Sequence, residues 1–190
     1  MKKIMIHPKA EIKTLISNVG NGTNIWQFVV VLDGAKIGSD CNINAHCLIE
    51  GKVKIGDRVT LKCGVYLWDG TVVEDDVFIG PNAAFTNDIY PRSKQHIEYP
   101  VTTLRRGCSI GANATILPGL TVGEYAMVGA GTVVTKDIPA YTLWYGNPGE
   151  HRGYICRCAG KLDDPFVCKK CGISYKLMPD GGLKSSNPNR

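Results

Sequence analysis

Aliphatic residues recur at every sixth position. From Val19 the series reads Val19, Ile25, Val31, Ile37, Ile43, Ile49, Ile55, Leu61, Leu67, Val73 and Ile79 without a miss, and it resumes as Leu104, Ile110, Ile116, Val122, Val128 and Val134. A period of six is not the 3.6 of a helix. It is even, so it suits strands, whose side chains alternate between faces. Glycine often follows the aliphatic position, at Gly20, Gly38, Gly56, Gly80, Gly111, Gly123 and Gly129, and Asn44 takes the same place. Both residue types tolerate turn dihedrals. The pattern therefore predicts very short strands joined by tight corners. Such strands bury their apolar side only by stacking on the next turn of the chain. Three six-residue sides give a coil of triangular section. Ile37, Ile55 and Val73 then form one interior ladder, Ile43, Leu61 and Ile79 a second, and Val31, Ile49 and Leu67 a third.

The register breaks between Ile79 and Leu104, where 24 residues replace the five that an unbroken series would leave. The segment is polar, holds three prolines and has no strand or helix period. It predicts an inserted loop at 81–103, and a solenoid exports such insertions to one face, often the binding face. Asn87, Asp88, Arg92 and His96 sit close together in it. Just before the break, Leu67 points inward by the six-residue count, so Tyr66 and Trp68 are expected to point outward.

Charge divides the chain. Of 190 residues, 1–149 carry 14 basic and 13 acidic side chains, whereas 150–190 carry 8 and 4. The body has no nucleic-acid footprint, and no nucleic-acid partner is expected. No apolar run approaches the length of a membrane span, and the basic start lacks an apolar signal core, so a cytoplasmic protein without a membrane partner is expected. Eight cysteines divide at the same place. Cys41, Cys47, Cys63 and Cys108 are scattered and read as buried small hydrophobes. Cys156, Cys158, Cys168 and Cys171 are packed into sixteen residues. In a reducing compartment such clustering favours metal over disulfides. Cys156-Arg157-Cys158 and Cys168-Lys169-Lys170-Cys171-Gly172 fit a tetrahedral four-thiolate site, for which zinc is the expected ion and iron, free thiols or a redox pair are alternatives. Four protein ligands leave no open position, so the role would be structural. The tail at 149–190 is too short to build a core without metal or docking, and it is expected to cap the open end of the solenoid or to pack on a neighbouring subunit. Residues 180–190 read as a disordered end.

The repeat [LIV]-G-x-x-x-x, as in Ile37-Gly38-Ser39-Asp40, Ile55-Gly56-Asp57-Arg58 and Val128-Gly129-Ala130-Gly131, resembles the hexapeptide-repeat acyltransferases over about residues 8–140. The resemblance implies an all-β, left-handed parallel β-helix over 1–148; the four-cysteine, zinc-ribbon-like tail read from the cysteine spacing follows it. It also implies a homotrimer with active sites between neighbouring helices. Phe85-Thr86-Asn87 with Pro91-Arg92-Ser93, the opening Ile25-Trp26-Gln27-Phe28, the run Gly111 to Gly119, the run Val128 to Asp137, and Gly146-Asn147-Pro148 are similar to the N-acetyltransferases of nucleotide-linked amino sugars. The nearest types act on the 3-amino group of a UDP-amino-uronic acid or a dTDP-3-amino-3,6-dideoxyhexose, in surface polysaccharide synthesis. Two motifs depart from that pattern. Gly149-Glu150 stands where Ala-Arg is usual, and Lys62-Cys63-Gly64 stands where Gln-Asn-Asn or similar is usual.

The implied reaction is direct attack of the amine on acetyl-CoA in a ternary complex, with catalysis by orientation and oxyanion stabilisation. The resemblance places Asn87 between amine and thioester. Asp69 is a candidate to orient the ammonium, and His96 is a candidate base. Trp26, Tyr66, Trp68 and Arg92 are candidates for the sugar nucleotide. Small Ala112, Ala130 and Gly131 would let the pantetheine arm approach the backbone, and Lys136 would meet a phosphate, with Arg105 and Arg106 as further cations. Two rival readings remain: a sugar O-acetyltransferase, whose relatives commonly put histidine where Asn87 stands, and a non-enzymatic β-helix module related to γ-class carbonic anhydrases. The latter need three histidines at a subunit interface, a pattern that His46 and His96 do not make.

Overall fold

The computed structural model describes residues 2–95 and 97–186. Each six-residue period becomes a strand of two or three residues and a corner. Strands one coil apart pair in parallel. One face stacks Met5–Ile6, Asn24–Ile25, Asn42–Ile43, Thr60–Leu61, Phe78–Ile79, Ser109–Ile110, Met127–Val128 and Thr142–Tyr145. The second face runs from Glu11–Ile12 to Val133–Val134 and the third from Lys36–Ile37 to Thr121–Val122. The ladders fall in the predicted register, with Ile37 beside Ile55 and Ile55 beside Val73, Ile43 beside Leu61 and Leu61 beside Ile79, and Val31 beside Ile49 and Ile49 beside Leu67. All nine are buried. The molecule is thus a parallel β-solenoid. No helix among the described residues is long and apolar enough to cross a membrane.

A second interior series fills the corners. The residue two before each ladder position also points inward, as alternation requires. Val29, Ala35, Cys41, Cys47, Val53 and Cys108 are among these fully buried side chains. They are small because three walls converge there. Three of the four body cysteines therefore behave as expected, but Cys63 does not. It sits on a corner and is exposed. Burial pushes the Cys47 thiol up to about 11 and that of Cys108 higher still.

The glycines after the ladder positions serve clearance rather than dihedral freedom. Gly38 and Gly80 have ordinary backbone angles, yet a Cβ on Gly38 would lie 2.5 Å from the carbonyl carbon of Gly56, and one on Gly80 would lie 2.7 Å from the Ala112 nitrogen. The left-handed conformation falls elsewhere in the corner, and bulky residues adopt it: Phe28, His46, Arg58, Asp76, Tyr125 and Tyr141 all have φ between 52° and 61°. That conformation costs an L-residue roughly 1–2 kcal/mol. Each cost is offset by a backbone bond to the coil below, for example Arg58 N–H to Ser39 O at 2.8 Å and Tyr141 N–H to Glu124 O at 2.8 Å.

One edge of the solenoid carries a carboxylate ladder. Asp57 accepts the Ser39 N–H at 2.7 Å and Asp75 accepts the Asp57 N–H at 2.9 Å. Arg58 then chelates Asp76 at 2.6 and 3.0 Å, Arg106 reaches Asp75 at 3.1 Å, and Arg105 reaches Glu74 at 2.7 Å. Both arginines proposed for coenzyme phosphate are thus already paired.

Two segment boundaries differ from expectation. The repeat continues one step past Ile79, because Phe85 takes the next ladder position in the strand Ala84–Phe85, and it resumes in Thr102–Leu104. An aromatic residue replaced the aliphatic one, which hid the strand. The excursion is therefore 86–101, not 81–103. The end is also more ordered than expected. Leu183–Ser185 pairs with Tyr175–Leu177, and Leu183 is buried, so 180–186 are not a disordered end; 187–190 lie outside the described residues.

Two measurements test this packing. A thiol reagent should modify Cys63 rapidly in the native protein, whereas Cys41, Cys47 and Cys108 should react only on unfolding; early labelling of Cys108 would contradict the core assignment. Asp76 is held below its ordinary carboxylate value, first by its hydrogen bond to Arg58. Its stabilising contribution is therefore complete above the unfolded value near 4 and is lost as pH falls through the lower folded value. Asp76→Asn should cost about 1 kcal/mol or less at pH 7, given the pair's exposure. The melting difference from the parent should shrink toward pH 2.

Candidate active site and cysteine cluster

Asn87 opens the excursion, two residues beyond the buried Phe85, and is half-buried. Its carboxamide makes no hydrogen bond among the described residues. Three residues on from the paired Tyr66 and Ala84, the two chains arrive at Asp69 and Asn87, on adjacent coils of one corner. Asp69 is partly committed there. Its Oδ1 accepts the Lys52 N–H at 2.8 Å, and its own N–H donates to Glu50 at 2.6 Å. Asp69 also lines a cavity of about 480 Å³ with Lys52, Lys54, Val72, Tyr99 and Val101. Lys52, Lys54 and Tyr99 were not singled out from the sequence. Nothing in the six-residue pattern marks which outward positions the excursion will cover.

On the other side of the same corner, Tyr66 and Trp68 border a second cavity of about 240 Å³ with Ala84 and Asn82, and their rings meet edge-on at 6.1 Å. Tyr66 is exposed as expected. Trp68 is only half-buried, because its ring packs against the core and its Nε1–H donates to Phe85 O at 2.8 Å, which ties the root of the excursion to the coil below. Trp26 stands apart. Its Nε1–H donates to Asn42 at 2.7 Å, on a different corner and three coil spacings lower than Ile79, or about 14 Å along the axis. Arg92 is exposed and donates to its neighbour Pro91 O at 3.0 Å. His96 lies outside the described residues.

The expected coenzyme edge splits. Ala112, Ala130 and Gly131 come together on adjacent coils of one corner, with Gly131 N–H donating to Ala112 O at 2.8 Å. Ala130 and Gly131 are exposed, and nothing lies within 4 Å of where a Gly131 Cβ would stand. The backbone is therefore open to a ligand there. Lys136 is not on this corner. Its ammonium lies 5.3 Å over the ring of Trp144, which closes the bore of the last coil. Behind the edge, Thr132 is fully buried, and its hydroxyl makes no hydrogen bond among the described residues.

The tail returns to the solenoid. Glu150–Ile155 pairs antiparallel with Thr142–Tyr145, and Lys161–Leu162 pairs with it in turn. Cys156 and Cys158 lie on the turn between those two strands, closed by Cys156 N–H to Gly160 O at 2.8 Å. Cys168 and Cys171 lie on a second turn, closed by Cys168 N–H to Ile173 O at 2.8 Å. The four sulfurs all lie within 4.8 Å of one another, with Cys156 to Cys171 at 3.5 Å and Cys158 to Cys168 at 3.6 Å. Zinc–sulfur bonds of about 2.3 Å in a tetrahedron require sulfurs about 3.8 Å apart, so the tetrad fits such an ion. Two supports were not read from the sequence. The Tyr175 hydroxyl lies 2.9 Å from the Cys156 sulfur, and Gly160 leaves room for sulfur, since its Cβ would stand 2.9 Å from Cys168 Sγ.

Comparison with known proteins agrees with the fold and the motifs. The family pattern for bacterial transferase hexapeptides, six repeats long, matches residues 17–51 and 102–136. The dTDP-3-amino-3,6-dideoxy-alpha-D-galactopyranose 3-N-acetyltransferase of Aneurinibacillus thermoaerophilus is 53% identical over 175 residues, covering 90% of each chain. The chain belongs to the hexapeptide-repeat acetyltransferases. Among solved structures, the polySia-specific acetyltransferase NeuO aligns over 80% of this chain and 75% of its own, with a TM-score of 0.58 at 20% identity. LpxA, a UDP-N-acetylglucosamine acyltransferase from Bacteroides fragilis, aligns over 80% and 72%, with a TM-score of 0.56 at 18% identity. At those identities the likeness is one of fold.

The Trp68 bond gives this acetyltransferase-family corner a direct test. Trp68→Phe keeps the packed ring but removes the donor to Phe85 O, a loss of about 1 kcal/mol. Limited proteolysis should then cut within 86–101 sooner than in the parent, with melting lowered by a few degrees; unchanged cleavage would show that the bond does not anchor the excursion.

Proposed function

We propose that the protein transfers the acetyl group of acetyl-CoA to the 3-amino group of a dTDP-linked 3-amino-3,6-dideoxyhexose, for surface polysaccharide synthesis. The observation that carries this reading is the 53% identity, over 90% of both chains, to an enzyme named for that reaction. The corner supports it. Asn87, whose carboxamide has no partner among the described residues, follows the strand stacked on the one that leads to Asp69, at the foot of the excursion.

The chemistry needs little from the protein beyond placement. The sugar amine enters as an ammonium, and Asp69 pairs with it and passes one proton to solvent. The freed lone pair attacks the thioester carbonyl carbon. A C–N bond forms, and the carbonyl electrons move to oxygen. The Asn87 N–H donates to that oxyanion. On collapse the C=O returns, the C–S bond breaks, and the second proton of the nitrogen ends on the departing CoA sulfur. The products are the amide and free CoA. Tyr66 and Trp68 offer the sugar an aromatic wall, Arg92 offers its diphosphate a cation, and the Ala112–Ala130–Gly131 edge offers the pantetheine arm backbone groups. Lys136 reaches a phosphate only by leaving Trp144.

Several exposed apolar side chains of the excursion, Ile89, Tyr90, Ile97, Tyr99 and Val101, ask for cover. A second and third copy of the chain would supply it, as a homotrimer with sites between neighbours. The four tail thiolates hold a structural zinc. A cytoplasmic setting suits both reduced thiols and a nucleotide-sugar substrate.

Thiol release from acetyl-CoA, assayed with dTDP- and UDP-linked 3-amino and 4-amino sugars and a plain hexose, tests the reading. Rapid turnover is expected with the dTDP-3-amino sugar. Removing one oxyanion donor typically lowers kcat by about 10²–10³-fold, so Asn87→Ala should lose roughly that much at unchanged melting temperature. Turnover with the plain hexose alone would overturn the amine assignment, and silence with no acetyl-CoA binding would overturn the transferase.

A further inference from the structure

The tail contacts the coenzyme edge through a continuous set of backbone bonds. Cys156, the first tetrad ligand, directly follows the strand Glu150–Ile155. That strand pairs with Thr142–Tyr145 and is pinned at its far end by Ile155 N–H to Tyr141 O at 2.8 Å. The resulting hairpin grips both flanks of Ala130–Gly131. On one flank, Gly129 N–H donates to Trp144 O at 2.8 Å, and the Tyr145 Cβ lies 2.8 Å from where a Gly129 Cβ would stand. On the other, Val133 N–H donates to Gly146 O at 3.0 Å and Gly149 N–H to Val133 O at 2.8 Å. The edge is thus the last corner of the solenoid, with no further coil to hold it. The hairpin takes the place of that coil.

The tail has its own small core, separate from the solenoid interior. Tyr141, Leu162, Ile173, Tyr175 and Leu183 pack around Cys156 and Cys168. Tyr125, Ala140, Tyr154 and Phe166 are only partly buried against them, and so small a core does not fix a segment of this length without a cross-link. We infer that the metal bound by Cys156, Cys158, Cys168 and Cys171 is a positioning device for acetyl-CoA, because it fixes the hairpin that shapes the Ala130–Gly131 edge. The inference rests on the acetyltransferase reading. It assigns the tetrad a consequence confined to one substrate: the amino-sugar corner at Asp69 and Asn87 lies coils away and is held by its own neighbours.

The test compares zinc-loaded and metal-free full-length protein. Metal content is measured against chain concentration. Acetyl-CoA affinity is titrated by calorimetry, and KM is measured for each substrate, before and after dialysis against a chelator under reductant and again after adding zinc chloride. About one zinc per chain is expected. On its removal, Kd and KM for acetyl-CoA should rise tenfold or more and return with zinc, while KM for the amino sugar and the assembly size stay within about twofold. Gly149→Ala gives a second readout that spares the tetrad, since its Cβ would meet the Thr132 methyl at 2.8 Å and spread the hairpin from the edge. It should keep full zinc and still bind acetyl-CoA more weakly. Three results would overturn the inference: reduced protein that takes up no zinc, metal-free protein with unchanged acetyl-CoA affinity, or both KM values rising together as the assembly falls apart. Zinc-loaded protein that binds no acetyl-CoA at all would instead sink the transferase reading, and the inference with it.

Discussion

A strand of two residues cannot stand alone. Each of these strands exists because another lies one coil above and another one coil below, at the spacing of parallel β-structure. That mutual dependence sets nearly everything else. Ladder positions must be apolar because they stack on their own kind. Positions two residues earlier must be small because the corners are narrow. Glycine must follow the ladder where the next coil's backbone passes too close for a Cβ, as at Gly38 and Gly80. Even the left-handed corners tolerate Phe28 and Tyr141, because inter-coil hydrogen bonds hold them there.

This is why the fold was legible. A constraint repeated at every coil writes itself into the sequence with a fixed period, and Ile43, Leu61 and Ile79 could be placed on one ladder before any coordinates. The misreadings share a cause. Phe85 carries the same constraint with an aromatic side chain and so fell outside an aliphatic count. The glycines were read as dihedral adapters when they provide clearance, since both roles select the same residue. Leu183 gave no sign of order, because its partner strand belongs to a hairpin with no repeat behind it.

The candidate site was legible only in part, for the opposite reason. Local motifs gave Asn87, Ala112, Ala130, Gly131 and the four cysteines, and the structure brings Asn87 near Asp69 and gathers the other two sets. It does not bring Trp26 to them, and it gives Lys136 to Trp144. Those positions depend on which outward side chains the excursion covers and how the last coil ends, and neither question has a periodic answer. Lys52, Lys54 and Tyr99 were missed on the same ground. They become neighbours only because residues 97–101 fold back over the coil below.

The way the last coil ends also accounts for the departure at Gly149-Glu150. A Cβ at 149 would strike the Thr132 methyl, because Gly149 N–H reaches Val133 O where the chain turns back. Glu150 opens the returning strand, and its carboxylate meets Arg152 at 2.8 Å, while Arg152 lies 5.4 Å over the ring of Tyr145. Arg152 is thus matched by Glu150, and the pair brings no net charge to this end of the solenoid. Without the return strand Arg152 would not stand beside Glu150. Cys156 directly follows that strand, so the cysteine cluster stands at the far end of the hairpin that carries Arg152.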